Sequence, residues 1–190
     1  MNNKDNDIWN LKGKILLSTM SISHAYLNKS MIYLCSHDEK GAMGVIVNKI
    51  IPEMNVFEIF KKLKINTEGL KNLNIHFGGI EEIDRCFILH SDDYMSPNSK
   101  IIGGHTALMI NGDILKVISS VGGPREKLIC MGCCVWEAEQ LEDEVAASCW
   151  VPIDADDALI FGDPKADKWS KSLLKIGSNT NVFSDLQGNA

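Results

Sequence analysis

Apolar positions in this chain fall into short unbroken runs more often than into spaced stripes. "KILLST" (14–19), "MIYLC" (31–35) and "AMGVIV" (42–47) are continuous apolar segments of strand length, which predicts three buried strands. "SHDEKGAMG" has the length of a hairpin connection between the second and third, with Gly41 supplying the turn. "NIHFGG" (74–79), "RCFILH" (85–90), "HTALMI" (105–110), "KLICMGCCV" (127–135) and "ALIF" (158–161) read as further strands.

Helical spacing shows in four places. Asn55 is placed to cap "VFEIFKKLKI", where Val56, Ile59, Phe60 and Leu63 recur at helical intervals. "DILKVISSV" follows Asn111-Gly112 and stops at Gly122, Gly123 and Pro124. "WEAEQLEDEVAASCW" carries Ala138, Leu141, Val145 and Cys149 as a stripe to bury, and Asp163-Pro164 opens "KADKWSKSLLKI", which ends at Gly177. The tail "SNTNVFSDLQGNA" has no clear period. Strands interleaved with helices predict an α/β fold: a layered sandwich of helices on a mixed β-sheet. The expected organisation is a single domain over 1–190, with a smaller α/β subdomain inserted at about 50–115.

At 190 residues, 45% apolar and 23% charged, the chain is long enough to build a core without disulfides or metal. No apolar run approaches the roughly 20 residues that span a bilayer. "MNNKDNDIWN" lacks the apolar stretch of a secretory signal, so the expectation is a cytoplasmic protein with no membrane contact. The net charge is −6, and Leu128 to Pro164 holds nine carboxylates with no Lys or Arg. Nucleic-acid affinity rests on cations meeting phosphates, so direct binding of DNA or RNA is disfavoured. The opposite bias, "KKLK" at 61–64, reads as the solvated face of a helix.

Six cysteines without an export signal are expected to be reduced thiols, most of them packed as small apolar groups. Cys130-Met131-Gly132-Cys133-Cys134 invites a redox or zinc reading. Alternation along a strand sends Cys130 and Cys133 to opposite faces, and no second pair completes a zinc site. A lowered pKa at Cys133 or Cys134, just ahead of the next helix, is the remaining redox idea. The five histidines have no helical ligand spacing. No metal or cofactor is expected.

No nucleophile elbow, phosphate loop or dinucleotide fingerprint is present. The residues that stand out are polar groups and glycines at strand ends. His37 lies at a turn, and His90 ends a strand ahead of Ser91, Asp92 and Asp93. Arg85 begins that strand, on the opposite face from His90 if alternation is strict. Trp136 and Gln140 stand one helical turn apart, an aromatic and an amide presented together.

Taken in order, "CSHDEKGAMGVIVNK", "FGGIEEIDRCFILH", "WEAEQLEDEVAASCW", "WSKSLLKIG" and the closing "GNA" resemble the AlgH/YqgE family of small bacterial proteins over nearly the whole chain, from about Leu11 to Ala190. The resemblance implies an α/β sandwich around a mixed sheet, a cytoplasmic location and no established enzymatic activity. Family members often carry the label of transcriptional regulators. The matching positions include His37, Asn48, Gly78, Gly79, Arg85, His90, Trp136 and Gln140. Departures from the family pattern are Ile50 and Ile80 where it has proline, and Cys86 and Glu139 where it has glycine.

These eight residues are therefore the candidate binding residues, with no catalytic set among them. His37, Asn48, Gly78, Gly79 and His90 would line a crevice for a protein or small-molecule partner. The reading is a non-enzymatic binding or regulatory protein. The alternative is a hydrolase or transferase with His37 or His90 as general base, which requires a partner within about 3 Å.

Overall fold

The computed structural model describes residues 10–55, 74–110, 123–162 and 167–179. Ten strands among them join one sheet: β1 (Lys14–Ser18), β2 (Met31–Asp38), β3 (Gly41–Ile46), β4 (Ile50–Asn55), β5 (Asn74–Phe77), β6 (Glu81–Ser91), β7 (Ser99–Gly103), β8 (Thr106–Ile110), β9 (Lys127–Glu137) and β10 (Trp150–Asp154). The order runs β10-β1-β2-β3-β9-β6-β8-β7, and every neighbouring pair on that path is antiparallel. β5 adds to β9 in parallel, and β4 to β5. Three helices occur among the described residues: α1 (Gln140–Ala146), α2 (Asp157–Phe161) and α3 (Lys168–Asn179). None is long and apolar enough to cross a membrane.

The expected layered sandwich of helices on a mixed sheet is therefore corrected. Among the described residues the fold is mostly antiparallel β, curled into a half-barrel, with three short helices. Curvature explains why the strands read as continuous apolar runs. Ile15, Leu17, Tyr33, Val45, Phe87 and Leu89 come from four strands and meet inside the curl, where α2 and α3 close it with Ile160 and Trp169. On the opposite face, Leu16, Ile32, Leu34 and Ile46 pack with Trp136, Leu141 and Trp150. Strands buried on both sides need no layers of flanking helix.

Two local expectations change as well. "ALIF" is not a strand but helix α2, because Asp156 adopts an extended conformation and its carboxylate accepts the Leu159 N–H at 2.7 Å. The long helix expected from Trp136 to Trp150 shrinks to the seven residues of α1. Trp136 and Glu137 complete β9, Trp150 opens β10, and Ala138 lies exposed before the helix. Leu141, fully buried, is the helix's anchor, worth about 2 kcal/mol. The helices expected over 56–65 and 113–121, the proline-led start at 163–164, the basic cluster at 61–64 and the tail beyond 179 lie outside the described residues. So does much of the range assigned to a subdomain, although β5 to β8 within it belong to the common sheet.

β9 is the hub. Both β5 and β6 pair with its residues Ile129 to Met131, so they lie on opposite edges, and the chain between them must cross it. The crossing is made by Gly78 and Gly79 over Gly132. Gly78 donates its N–H to Met131 O at 2.7 Å and accepts the Ile46 N–H at 2.8 Å. A Cβ on Gly79 would stand 2.0 Å from the Cys133 carbonyl, and one on Gly78 2.2 Å from Gly132 O. Gly132 itself has φ +76°, a left-handed conformation that breaks the register between Glu81↔Cys133 and Cys86↔Met131. The same irregularity overturns the expected alternation of the thiols: Cys130 and Cys133 both enter the inner core instead of opposite faces. All six cysteines are free. Burial pushes Cys133 up to about 11 and Cys134 up to about 12, opposite in direction to an activated thiol.

His76 on β5 is buried, with Nδ1 lacking a hydrogen-bond partner. Burial first, and then the Lys168 ammonium, lower its pKa to about 4. The unfolded chain therefore takes up a proton near pH 6.5 that the folded protein refuses until about pH 4. Stability from this group is full above pH 6.5 and falls as pH drops, by on the order of 3 kcal/mol at pH 4. Urea titrations of the parent and His76→Gln across this range check it. The parent should lose stability more steeply than the variant between pH 6.5 and 4.

Candidate functional site

The sequence brings two tryptophans and a short acidic helix to the end of β9. Glu137 closes the strand, Glu139 turns the chain with φ +66°, and Gln140 starts α1. Gln140 ties the corner by accepting the Glu137 N–H on Oε1 at 2.9 Å and donating Nε2–H to Glu144 Oε1 at 2.8 Å. The second oxygen of Glu144 accepts both indole N–H groups, from Trp136 at 2.9 Å and Trp150 at 2.6 Å. The two rings meet edge to face, with centroids 6.0 Å apart. One carboxylate thus holds two indoles and an amide.

This cluster forms one wall of a cleft of about 370 Å³. Cys134 and Val135 of β9 and Ile80 and Glu81 beside the crossing form another wall, and the loop Ser21–His24 with Leu27 closes it. Among the described lining residues the charged side chains are Glu81 and Glu144, with no Lys or Arg. The acidic, arginine-free and lysine-free stretch seen in the sequence supplies half of the lining.

α1 has a second carboxylate anchor. His37 Nδ1 accepts the Leu11 N–H at 3.0 Å, so the proton sits on Nε2, which donates to Glu142 Oε1 at 2.9 Å. Its side chain is 5% exposed, and both ring nitrogens are occupied. His90, fully buried, donates from Nδ1 to Ser91 O at 2.9 Å and accepts from Ser99 Oγ on Nε2 at 3.0 Å. No carboxylate among the described residues bonds to it. Neither imidazole offers a free lone pair to a substrate.

The other sequence-derived candidates stand apart from the cleft. Asn48 accepts the Met31 N–H at 2.8 Å and donates to Lys29 O at 2.9 Å, tying the start of β2 to the end of β3. Gly78 and Gly79 face the backbone of β9. Arg85 lies on the exposed half of β6, paired with Glu82 at 2.8 Å and set over the Phe87 ring at 5.8 Å. His37, Asn48, Gly78, Gly79 and His90 therefore do not line one crevice. Trp136 and Gln140 do share a site, together with Glu144 and Trp150. Glu144 was hidden in the sequence by its four acidic neighbours on the same short stretch, and only its spacing of eight from Trp136 and six from Trp150 marks it. No group of three or more His, Cys, Asp or Glu among the described residues is arranged to hold a metal ion.

Comparison with known proteins gives a consistent result. The profile of the AlgH-like family matches residues 15–181. A UPF0301 protein of Buchnera aphidicola is 34% identical over 174 residues, covering 90% of this chain and 92% of its own. A UPF0301 protein of Caulobacter vibrioides is 33% identical, covering 98% of this chain and 97% of its own. The solution structure of the AlgH protein from Pseudomonas aeruginosa superimposes with a TM-score of 0.74 at 28% identity, covering 96% of this chain and 95% of that one.

Proposed function

We propose, from the premise that this chain belongs to the AlgH-like family, that it is a cytoplasmic, non-enzymatic binding or regulatory protein whose guest enters the cleft between β9 and α1. The observation that carries this reading is the Glu144 carboxylate gripping Trp136, Trp150 and Gln140 at once. Preorganised aromatic rings with a fixed polar anchor are what a recognition site needs, because little side-chain freedom is left to lose on binding. Six free cysteines suit a reducing compartment. The rival reading, His37 or His90 as general base, requires breaking a hydrogen bond at the base nitrogen before any proton moves. The acidic lining likewise argues against a nucleic-acid partner.

Photo-crosslinking tests the site. A benzophenone amino acid replaces Val135 in the cleft wall or, as control, Ile101 on β7; the two positions are matched in exposure at 51% and 53%. Irradiation in the source cell should give discrete adducts at Val135 and not at Ile101. Equal labelling at the two positions, or none at Val135, would remove the support for this cleft.

A further inference from the structure

We infer that the guest is an extended, positively charged segment of a partner protein, which adds as a short strand to the open edge of β9 at Val135. The inference rests on the cleft being the binding site. Trp136 O faces β3, since it lies 2.1 Å from where a Cβ of Gly41 would stand. Glu137 N–H leaves the strand on the other side, toward Gln140. Strand groups alternate, so Val135, two residues earlier, presents both its N–H and its C=O to that same outer side. There the pairing with β6 has already ended at Glu81↔Cys133. Among the described residues nothing pairs with this stretch of edge.

The side chains around it set the pattern of the incoming strand. Val135 and Ile80 are exposed apolar groups at 51% and 40%, and they match one apolar side chain directly across from Val135. The residues before and after it project to the opposite face, where Trp136 and Glu144 stand. With Glu81 at the rim and no Lys or Arg among the described lining residues, those flanking side chains are best served by ammonium or guanidinium groups. A second copy of this chain, at net charge −6, is a poorer match. The occupant is thus a basic–apolar–basic segment held by main-chain pairing.

Three blocked pentapeptides titrated into the isotope-labelled full chain decide it. The first has lysine, valine, lysine between terminal glycines; the second is identical but N-methylated at valine; the third carries glutamates for the lysines. The first should shift the Val135 amide and the Trp136 and Trp150 indole resonances with saturation. N-methylation should weaken it at least tenfold, and the glutamate peptide should not bind. Equal binding of the N-methylated peptide would overturn strand addition, and equal binding of the glutamate peptide would overturn the charge preference. A Val135 shift on concentration alone would assign the edge to a second copy and overturn the inference. If the lysine peptide fails while cleft adducts form at Val135 in the cell, this inference falls and the binding site stands. If both fail, the site falls too.

Discussion

Gly79→Ala is expected to destabilise the fold by more than about 4 kcal/mol, a cost reserved for changes that a packed structure cannot absorb. The added methyl carbon would lie 2.0 Å from both the carbon and the oxygen of the Cys133 carbonyl. That neighbour is main chain in the central strand, so no side-chain rotation relieves the clash. The crossing segment cannot lift away without losing the Gly78 bonds to Met131 and Ile46, at 2.7 and 2.8 Å. In a chain of this size such a loss lowers the melting temperature by roughly 10 °C or more, and it consumes much of a typical total stability. Gly103→Ala is the matched control. Its Cβ would meet only ordinary contacts, at 3.4 Å from Gly13 and 3.8 Å from Tyr33, so a change within about 1 kcal/mol is expected. Urea unfolding of the two variants beside the parent gives the comparison. Near-equal stabilities of Gly79→Ala and Gly103→Ala would mean that β5 and β6 do not pass over β9 as described.

Glu144→Ala is expected to cost about 2–4 kcal/mol, although the residue is only half-buried. The reason is multiplicity. Truncation orphans the indole N–H groups of Trp136 and Trp150 together, and it frees the Gln140 amide that closes the strand-to-helix corner. Trp150 is 2% exposed and Trp136 5%, so water reaches neither donor easily. Glu144→Gln keeps one acceptor oxygen but loses the charge that lets one atom serve two donors, and about half the penalty should follow. Tryptophan emission provides a local readout: both variants should alter it, while Glu137→Gln, which leaves the cluster intact, should not. An unchanged spectrum and melting point for Glu144→Ala would show that the carboxylate does not organise the indoles.

Much of the sheet was legible in the apolar runs, because curvature buries β1, β2 and β3 on both faces and leaves no polar positions between. The hairpin at Gly41 was legible for a similar reason: φ +126° and the carbonyl of Trp136 leave room for glycine alone. Helix and strand were confused where the run was short. "ALIF" has four apolar residues, too few to show a period, and the capping carboxylate of Asp156 decided the outcome. The excess of helix around Trp136 came from treating a strand end, a turn and a seven-residue helix as one element. Glu139 concealed that turn, since it occupies a left-handed position where the family pattern has glycine.

The site was half legible. Trp136 and Gln140 stood out as an aromatic and an amide, but their grouping was attributed to helical spacing when Trp136 belongs to β9. What unites them is Glu144, and a carboxylate among carboxylates carries no mark of its own in a sequence. The strand-end polar residues misled for the opposite reason. His37, Asn48 and His90 are distinctive because each satisfies backbone or side-chain groups at a place where strands end, and that structural work needs the same residue types as recognition does.

The central position of β9 bears on how the protein is made. A ribosome delivers β1, β2, β3 and β5 well before the strand that seals them, and Lys14 must wait for Asp154 to emerge before its own edge is paired. Until then the nascent chain offers bare strand borders to the crowded cell, so its vulnerable interval is synthesis itself. Slowing translation ahead of residue 127 should raise the share of newly made chains lost to clumping, whereas slowing it after residue 154 should not.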